Sequence, residues 1–313
     1  MTAVPAQTSP SALNRLKLFF ALSRTPHGLL DMATPAVAAL LWHGSFPGLR
    51  IILVGLITVF AGYTAVYALN DLVDHRVDRK KLKRGGFRNT ESYLDAMLIR
   101  HPLAQGLLTF KQAVLWTACW ALLTLLGAYL LNPVCAIIFL AACLLETIYC
   151  LMWRTSHLRT LIMGAVKTSG AMAAVFAVDP RPSLPFLVLL FLWLFFWEIG
   201  GQNIPADWTD IEEDRSLKAT TIPLRLGLGR ANAIVLFSLI LAVALNGLLL
   251  GFSRVGTKLP LVALSATAGL YLLLIPAYRL FKTRQRPQAS ILFNRASYYP
   301  LSVLVVVGII VMI

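Results

Sequence analysis

The chain contains nine long apolar stretches, each close to the length that an α-helix needs to cross the hydrocarbon core of a bilayer. Arg24 and Pro26 interrupt the first of them. Hydrophobic residues make up 58% of the chain and charged residues only 13%, which excludes a soluble domain of this size. We therefore expect an all-α, polytopic membrane protein, with about nine transmembrane helices bundled around a central cavity in a single domain, 1–313. The stretches cover residues 18–44, 49–70, 112–131, 133–152, 159–178, 184–204, 231–252, 260–281 and 296–313.

Six of the 14 acidic residues are concentrated in two clusters. The clusters share one spacing and are Asp71, Asp74 and Asp78, then Asp207, Asp210 and Asp214. On a helix, positions n, n+3 and n+7 share one face, so each cluster presents three carboxylates together. Such carboxylates repel one another unless a cation joins them, and an oxygen-only set favours Mg²⁺ or Mn²⁺ over zinc. The pattern predicts a site for a metal-bridged phosphate.

Basic residues indicate the orientation, because Lys and Arg accumulate on the cytoplasmic side of membrane proteins. With a cytoplasmic N-terminus, 23 of the 28 Lys and Arg residues fall on that side, together with both aspartate clusters. We therefore expect an integral protein, of a bacterial cytoplasmic membrane, with its active site on the cytoplasmic side. The polar first 14 residues lack the architecture of a signal peptide, so no cleavage is expected. Nucleic acid is not an expected partner, because the basic residues lie in short loops between spans.

Short matches in the same order on both sides of the chain's midpoint indicate an internal duplication. Arg-Thr-x-His occurs at 24–27 and again at 154–157, ahead of the two clusters. Pro-Leu-x-x-Gly follows them, at 102–106 and 223–227. We expect two pseudo-repeated halves with their clusters facing each other. The predicted halves are about 15–131 and 133–252, and 253–313 forms the last two spans.

Several polar residues lie within the predicted spans, where such groups usually face a bundle interior or a water-filled cavity. Glu198 and Asn203 precede the second cluster on the sixth span, and Lys167 lies in the fifth. Two interpretations of Lys167 and Glu198 stay open. They form either a buried ion pair that locks helices together or part of a substrate site.

The signature Asn-Asp-x-x-Asp-x-x-x-Asp at residues 70–78 resembles that of the UbiA superfamily of intramembrane aromatic prenyltransferases. The second cluster, followed by Thr221-Ile222-Pro223, resembles the second signature of that family. The resemblance extends from about Arg24 to the last span. It implies an enzyme that moves a prenyl group from a prenyl diphosphate to an acceptor and releases diphosphate.

The resemblance also implies roles for individual residues. Asp71, Asp74, Asp207 and Asp210 would be catalytic, and all six clustered aspartates would hold two Mg²⁺ ions, with Mn²⁺ as a substitute. The diphosphate would be bound by Asn70, Arg79, Tyr149, Arg154 and Arg215. Independently of the resemblance, the polar residues Lys167, Glu198 and Asn203 within the spans are candidates for contacting the acceptor, with Lys167 anchoring an acceptor carboxylate.

The acceptor class is open from sequence. An aromatic acceptor of quinone-biosynthesis type comes first, because it is the commonest use of the fold. A chlorophyllide, haem or glycerol-phosphate lipid acceptor would use the same chemistry. A cation or lipid-phosphate transporter is a more remote alternative, because transporters place coupling sites near the bilayer midplane, whereas both clusters are expected at the cytoplasmic surface.

The loop at 79–101 is longer than the resemblance implies. It contains the basic run KKLKRGG and the amphipathic sequence ESYLDAMLIR. Two interpretations are open: a lid over the diphosphate, or a basic helix on the membrane surface.

Overall fold

Every backbone polar group inside a bilayer must be paired within the protein, and helices achieve this within a single segment. The computed structural model describes residues 12–84, 98–256 and 258–313, with side chains from residue 15 onward. The secondary structure in these ranges is helical and contains no strand. Most of the loop predicted to be a lid or a surface helix, residues 85–97, lies outside the described residues.

The described ranges contain α-helices joined by short turns, with one 3₁₀ turn at Met152–Arg154 and π-helical segments at Glu198–Asn203 and Leu270–Leu274. The α-helices are α1 (Ala12–Leu22), α2 (Thr25–Asp31), α3 (Ala33–His43), α4 (Leu49–Lys83), α5 (Phe110–Leu131), α6 (Pro133–Leu151), α7 (Arg159–Val178), α8 (Leu184–Trp197), α9 (Ile204–Thr209), α10 (Ile211–Ser216), α11 (Ile222–Phe252), α12 (Lys258–Gly269), α13 (Ile275–Thr283), α14 (Arg286–Ser297) and α15 (Tyr299–Met312).

Eight helical runs in the described part of the chain are long and apolar enough to cross a membrane. Their outer faces expose large apolar side chains, such as Leu115, Leu122 and Leu126 on α5. In water such a surface would be unfavourable, whereas in a bilayer it faces lipid. The prediction of an integral, all-α membrane protein is confirmed. The runs are Leu49–Lys83, Phe110–Leu131, Pro133–Arg154, Arg159–Val178, Leu184–Thr209, Ile222–Phe252, Lys258–Thr283 and Arg286–Met312.

The first predicted span is divided among α1, α2 and α3. Arg24 has a left-handed backbone conformation, with φ of 43°, and Pro26 lies in the first turn of α2. Proline has no amide proton with which to continue a preceding helix. The interruption predicted at these two residues is confirmed.

The two aspartate clusters differ in local structure. The first lies on a single helix, because α4 continues to Lys83, well past its predicted end at residue 70. In the second, Asp207 lies on α9 and Asp214 on α10, and Asp210 joins them with φ −97° and ψ 12°. The prediction of one helical face for the second cluster is therefore wrong. Aspartate is a weak helix former because its side chain competes for backbone groups.

The π-helical segment Glu198–Asn203 packs tightly against its neighbours. A Cβ added to Gly200 would lie 2.9 Å from the carbonyl oxygen of Val235 and 2.9 Å from side-chain atoms of Ser238 and Leu239, all on α11. One added to Gly201 would lie 2.8 Å from the Cβ of Ala296 on α14. Glycine is thus needed here for close helix contact. The division into halves at 15–131 and 133–252 stays a prediction.

Replacing Gly200 by alanine should destabilise the protein by roughly 1–3 kcal/mol, because the added methyl overpacks against a backbone carbonyl that cannot rotate away. The midpoint of thermal unfolding in detergent would show this. The matched control is Gly247→Ala on α11, where an added Cβ meets nothing within 4 Å and alanine favours the helix. Equal midpoints for the two variants would contradict the close approach.

Candidate active site

A cavity of about 550 Å³ lies inside the bundle and follows the length of α4. Ile51 and Asp78, near opposite ends of this helix, both line it and are roughly 40 Å apart along the helix axis. Near Ile51 the wall is apolar, with Ile52, Leu56 and Val59. Near Asp78 the wall is strongly charged, with residues Asp74, Lys81, Arg159, Asp207, Asp210 and Asp214. The cavity thus suits a molecule with an apolar body and a charged head group.

In the first cluster, Asp71 and Asp78 converge on His101. Its Nδ1 lies 2.9 Å from Asp71 Oδ1 and 3.1 Å from Asp78 Oδ2. One ligand atom from each of the three residues lies within 4.8 Å of the other two. Burial alone would favour the neutral imidazole, but the two carboxylates outweigh it and raise the pKa of His101 to about 9. The protonated ring offsets part of the negative charge of the cluster.

In the second cluster each carboxylate has its own basic partner. Arg159 Nη2 lies 2.7 Å from Asp207 Oδ1. Arg100 Nη2 lies 3.0 Å from Asp210 Oδ2, and Lys81 Nζ lies 3.0 Å from Asp214 Oδ1. Burial would raise the pKa of Asp210, but the charges of Arg100 and Lys81 outweigh it and hold that pKa below its usual range. Asp210 is therefore ionised at neutral pH.

Five of the six aspartates line the cavity, and Asp71 lies behind the wall against His101. Together with five basic residues they form what we term the charged end of the cavity. The fifth basic residue is Arg24, whose Nη2 donates to Asn70 Oδ1 at 3.2 Å and lies 3.5 Å from Asp71 Oδ1. The basic residues are Arg24, Lys81, Arg100, His101 and Arg159. An end with both signs of charge can bind cations through its carboxylates and anions through its basic groups.

The donor set at the charged end fits a hard divalent cation. It is dominated by carboxylate oxygens, which Mg²⁺ prefers. Asp207 Oδ2 is buried and has no hydrogen-bond partner among the described residues. An ionised oxygen in that position is unfavourable unless a cation or donor approaches it. The residues present therefore fit the metal that the sequence predicted.

Five other predicted site residues also line the cavity. Tyr149 lies under the guanidinium of Arg159, with the carbon of that group 4.5 Å from the ring centroid. Asn203 Nδ2 donates to the Tyr149 hydroxyl at 3.1 Å. Lys167 and Glu198 lie farther along the wall. Asn70, also in the wall, donates through Nδ2 to Glu146 Oε1 at 2.5 Å.

Three arginines predicted to bind diphosphate lie outside the cavity wall. Arg79 lines a separate groove with His75 and Phe110. Arg154 donates to the carbonyl of Leu217, and the exposed Arg215 pairs with Glu212. Arg79 and Arg215 directly follow an aspartate, and a step of one residue turns a helical side chain by about 100°. Their geometry does not support the predicted role.

Other basic residues lie beside the aspartates, where the three arginines were expected. Lys81 lies three positions after Asp78 and seven after Asp74, so it continues the helical face of the first cluster. This spacing could have been recognised in the sequence. Arg159 begins α7, five residues after Arg154. Arg100 and His101 lie at the end of the long loop, directly before the Pro-Leu-x-x-Gly match at 102–106, and they reach the clusters only through the tertiary fold.

The ion pair of Lys167 differs from the one considered from sequence. Its ammonium donates to Asp31 Oδ2 and, at 2.7 Å, to the hydroxyl of Tyr67. Tyr67 in turn donates to Asp31 Oδ2. The direct partner of Lys167 on α7 is therefore Asp31 of α2 instead of Glu198, and Tyr67 of α4 bonds to both members of the pair.

Comparisons with known proteins agree with this architecture. The model of the UbiA prenyltransferase family matches residues 32–299. A 4-hydroxybenzoate octaprenyltransferase of Vibrio cholerae is 27% identical over 235 residues, covering 73% of this chain and 76% of that protein. The structure of a UbiA homolog from Aeropyrum pernix superposes with a TM-score of 0.71 at 20% identity, covering 91% and 97% of the two chains. A UbiA homolog from Archaeoglobus fulgidus bound to DMAPP and Mg²⁺ gives 0.64 at 15% identity, covering 92% and 99%.

Mg²⁺ should raise the midpoint of thermal unfolding of the wild-type protein in detergent. A ligand that binds only the folded state stabilises it by about 2.7 kcal/mol at a hundred times its dissociation constant. Asp207→Asn should reduce this Mg²⁺-dependent shift, because it removes a ligand charge with little change in volume. Glu212→Gln, an exposed carboxylate outside the cavity wall, is the control and should keep the full shift. Equal shifts in both variants would contradict a metal site at Asp207.

Proposed function

The chain belongs to the UbiA prenyltransferase family and is an integral membrane prenyltransferase, and from this premise we propose its reaction in more detail. It transfers a prenyl or polyprenyl group from a prenyl diphosphate to an aromatic acceptor of quinone-biosynthesis type, and it releases diphosphate. The reaction depends on Mg²⁺, for which Mn²⁺ substitutes. The site and the N-terminus face the cytoplasm, in a bacterial cytoplasmic membrane.

One observation carries the proposal: a single cavity joins an apolar wall to the charged end. A prenyl diphosphate has the matching form, with a long hydrocarbon chain and a compact polyanion. The apolar wall beside the first turns of α4 takes the chain, and the charged end takes the diphosphate. The Archaeoglobus fulgidus homolog, which binds DMAPP and Mg²⁺, supports this assignment.

The aspartates divide into two sets of metal ligands. Asn70 and the first cluster serve one Mg²⁺ ion, and the second cluster serves the other. When bound, these ions neutralise the charge that develops on the leaving diphosphate as the allylic C–O bond breaks. Asp74, Asp207 and Asp210 are in this view direct contributors, because they line the cavity, and Asp71 contributes from behind the wall, beside His101.

Basic groups of the charged end hold the diphosphate oxygens. Arg159 is well suited, because its buried Nε has no hydrogen-bond partner among the described residues and its side chain lies over the Tyr149 ring. Charge-assisted bonds from an arginine to phosphate are short and strong. Lys81 and Arg100 supply further positive charge. We assign these three the role first expected of Arg79, Arg154 and Arg215.

The middle of the cavity protects the reactive carbon. Once the C–O bond breaks, the allylic fragment carries positive charge, and aromatic faces stabilise a nearby cation. Tyr63, Tyr67 and Tyr149 line this region. The apolar walls exclude water, which would otherwise capture the cation before the acceptor attacks.

The aromatic acceptor is supported by the Vibrio cholerae relative, a 4-hydroxybenzoate octaprenyltransferase. A chlorophyllide, haem or glycerol-phosphate lipid acceptor is the alternative for the same chemistry. Transport of a cation or a lipid phosphate is the more remote one. Chemistry is favoured over transport because both clusters lie at one end of the cavity.

Diphosphate release by the purified protein in detergent tests the proposal. The protein is given a labelled prenyl diphosphate with a panel of acceptors, in Mg²⁺ or in EDTA. Release that needs both Mg²⁺ and an aromatic acceptor supports the full proposal. Release that needs a tetrapyrrole or a glycerol-phosphate acceptor overturns the aromatic assignment only. Mg²⁺ binding without release from any combination favours transport.

Asp71→Asn and Asp207→Asn should each lower turnover roughly a hundredfold or more, because several kcal/mol of transition-state stabilisation depend on the metal ions. Both replacements are nearly isosteric, so the folded protein should persist. Glu212→Gln is the control and should keep wild-type turnover. Wild-type rates in either aspartate variant would refute the two-metal assignment.

Arg159→Lys should raise KM for the prenyl diphosphate roughly tenfold, because a hydrogen bond to a charged group contributes about 1.5 kcal/mol or more. Lysine keeps the positive charge beside Asp207 but lacks the planar guanidinium. Arg215→Lys makes the same change at an exposed residue outside the cavity wall and should leave KM unchanged. If Arg215→Lys had the larger effect, the reassignment of the diphosphate-binding arginines would be wrong.

A further inference from the structure

The π-helical segment Glu198–Asn203 directs two polar side chains to the cavity. On an α-helix, residues five apart point about 140° away from each other. In a π-helix, one hydrogen-bonded turn links residues i and i+5, so they lie on nearly the same side. Glu198 and Asn203 both line the cavity, while Gly200 and Gly201 face α11 and α14. The tight backbone packing of the glycines fixes the direction of the two polar residues.

Both residues carry a buried oxygen that lacks a hydrogen bond. Glu198 Oε2 and Asn203 Oδ1 have no partner within the described ranges. Glu198 is 2% exposed and Asn203 is 6% exposed. The amide nitrogen of Asn203 is used by the Tyr149 hydroxyl, so its oxygen points elsewhere. An acceptor buried without a donor is unfavourable, and two at one place indicate a ligand that brings donors.

Neighbouring donors are already engaged within the protein. The Lys167 ammonium bonds to Asp31 and Tyr67. Gln202, on the same segment, donates through Nε2 to the Phe293 carbonyl at 3.3 Å and the Ser297 hydroxyl at 3.0 Å. A ligand carboxylate offers only acceptor oxygens and would place them against the unpaired oxygens of Glu198 and Asn203. A ligand hydroxyl would donate to these unpaired oxygens.

We propose that Glu198 and Asn203 form the acceptor subsite, and that this subsite binds its substrate through one or two hydroxyl groups donating to Glu198 Oε2 and Asn203 Oδ1. The inference rests on the proposed function, since it assigns the second substrate of that reaction. It replaces the expectation that Lys167 anchors an acceptor carboxylate. A phenol or an aliphatic alcohol would satisfy the same two oxygens.

Binding of matched pairs of compounds tests this subsite without requiring turnover. One pair is 4-hydroxybenzoate and 4-methoxybenzoate, and the other is glycerol 1-phosphate and its O-methyl ethers. Dissociation constants are measured by titration calorimetry on the full chain in detergent with Mg²⁺ and an unreactive prenyl thiodiphosphate. The free hydroxyl compound of one pair should bind roughly tenfold to a hundredfold more tightly than its ether. Whichever pair binds shows whether the subsite takes a phenol or an aliphatic alcohol.

Glu198→Gln and Asn203→Leu should each reduce the preference for the hydroxyl roughly tenfold, without weakening binding of the thiodiphosphate. Glu198→Gln is nearly isosteric and should not disturb folding. An unchanged Mg²⁺-dependent thermal shift would verify that both variants are folded. Asn246→Leu is the control for the second variant. Asn246 is also buried with an unpaired Nδ2 among the described residues, but it lies outside the cavity wall, so its replacement should leave the preference unchanged.

Two results would overturn the subsite. One is an unchanged preference in both Glu198→Gln and Asn203→Leu. The other is failure of both hydroxyl compounds to bind the wild type while Mg²⁺-dependent diphosphate release persists, which would leave the proposed reaction standing. Loss of thiodiphosphate binding in the wild type would instead count against the proposed function itself.

Discussion

Charge pairing at one end of an apolar bundle is the interaction on which this structure depends. Six carboxylates lie among helices whose other faces are covered with aliphatic side chains. Ionised groups in such surroundings are strongly unfavourable without partners. Arg159, Lys81, Arg100 and His101 each approach an aspartate within about 3 Å. The same mixture of charges gives the cavity an end whose carboxylates suit a metal ion and whose basic groups suit a polyanion.

These pairs also connect parts of the chain that are distant in sequence. Lys81 on α4 reaches Asp214 on α10, and Arg159 on α7 reaches Asp207 on α9. Arg100, in the described residues at the end of the long loop, reaches Asp210. The charged end is therefore a junction of several helices. Breaking one pair would leave a buried charge without a partner, which is more damaging than the loss of an exposed pair such as Arg215 with Glu212.

Irregular helix geometry positions the remaining polar groups. The left-handed residue Arg24 and the following Pro26 break the first span, and this brings Asp31 to Lys167. The π-helical segment at Glu198–Asn203 places both of these residues in the cavity wall. π-helical turns occur often at functional sites because they place residues that a regular helix would separate. Here the departures from regular helix coincide with the polar middle of the cavity.

The sequence by itself determined the membrane class, the break at Arg24 and Pro26, and the two aspartate clusters, because hydropathy, proline and a spacing of three and four residues act locally. Lys81 could also have been predicted, because it continues the same helical face. The other basic partners of the clusters could not, because Arg100, His101 and Arg159 meet the aspartates only after distant segments pack together. The same holds for Asp31 with Lys167 and for the π-helical turn at Glu198. Only the tertiary structure decided these, since pairing of buried charges depends on which helices become neighbours.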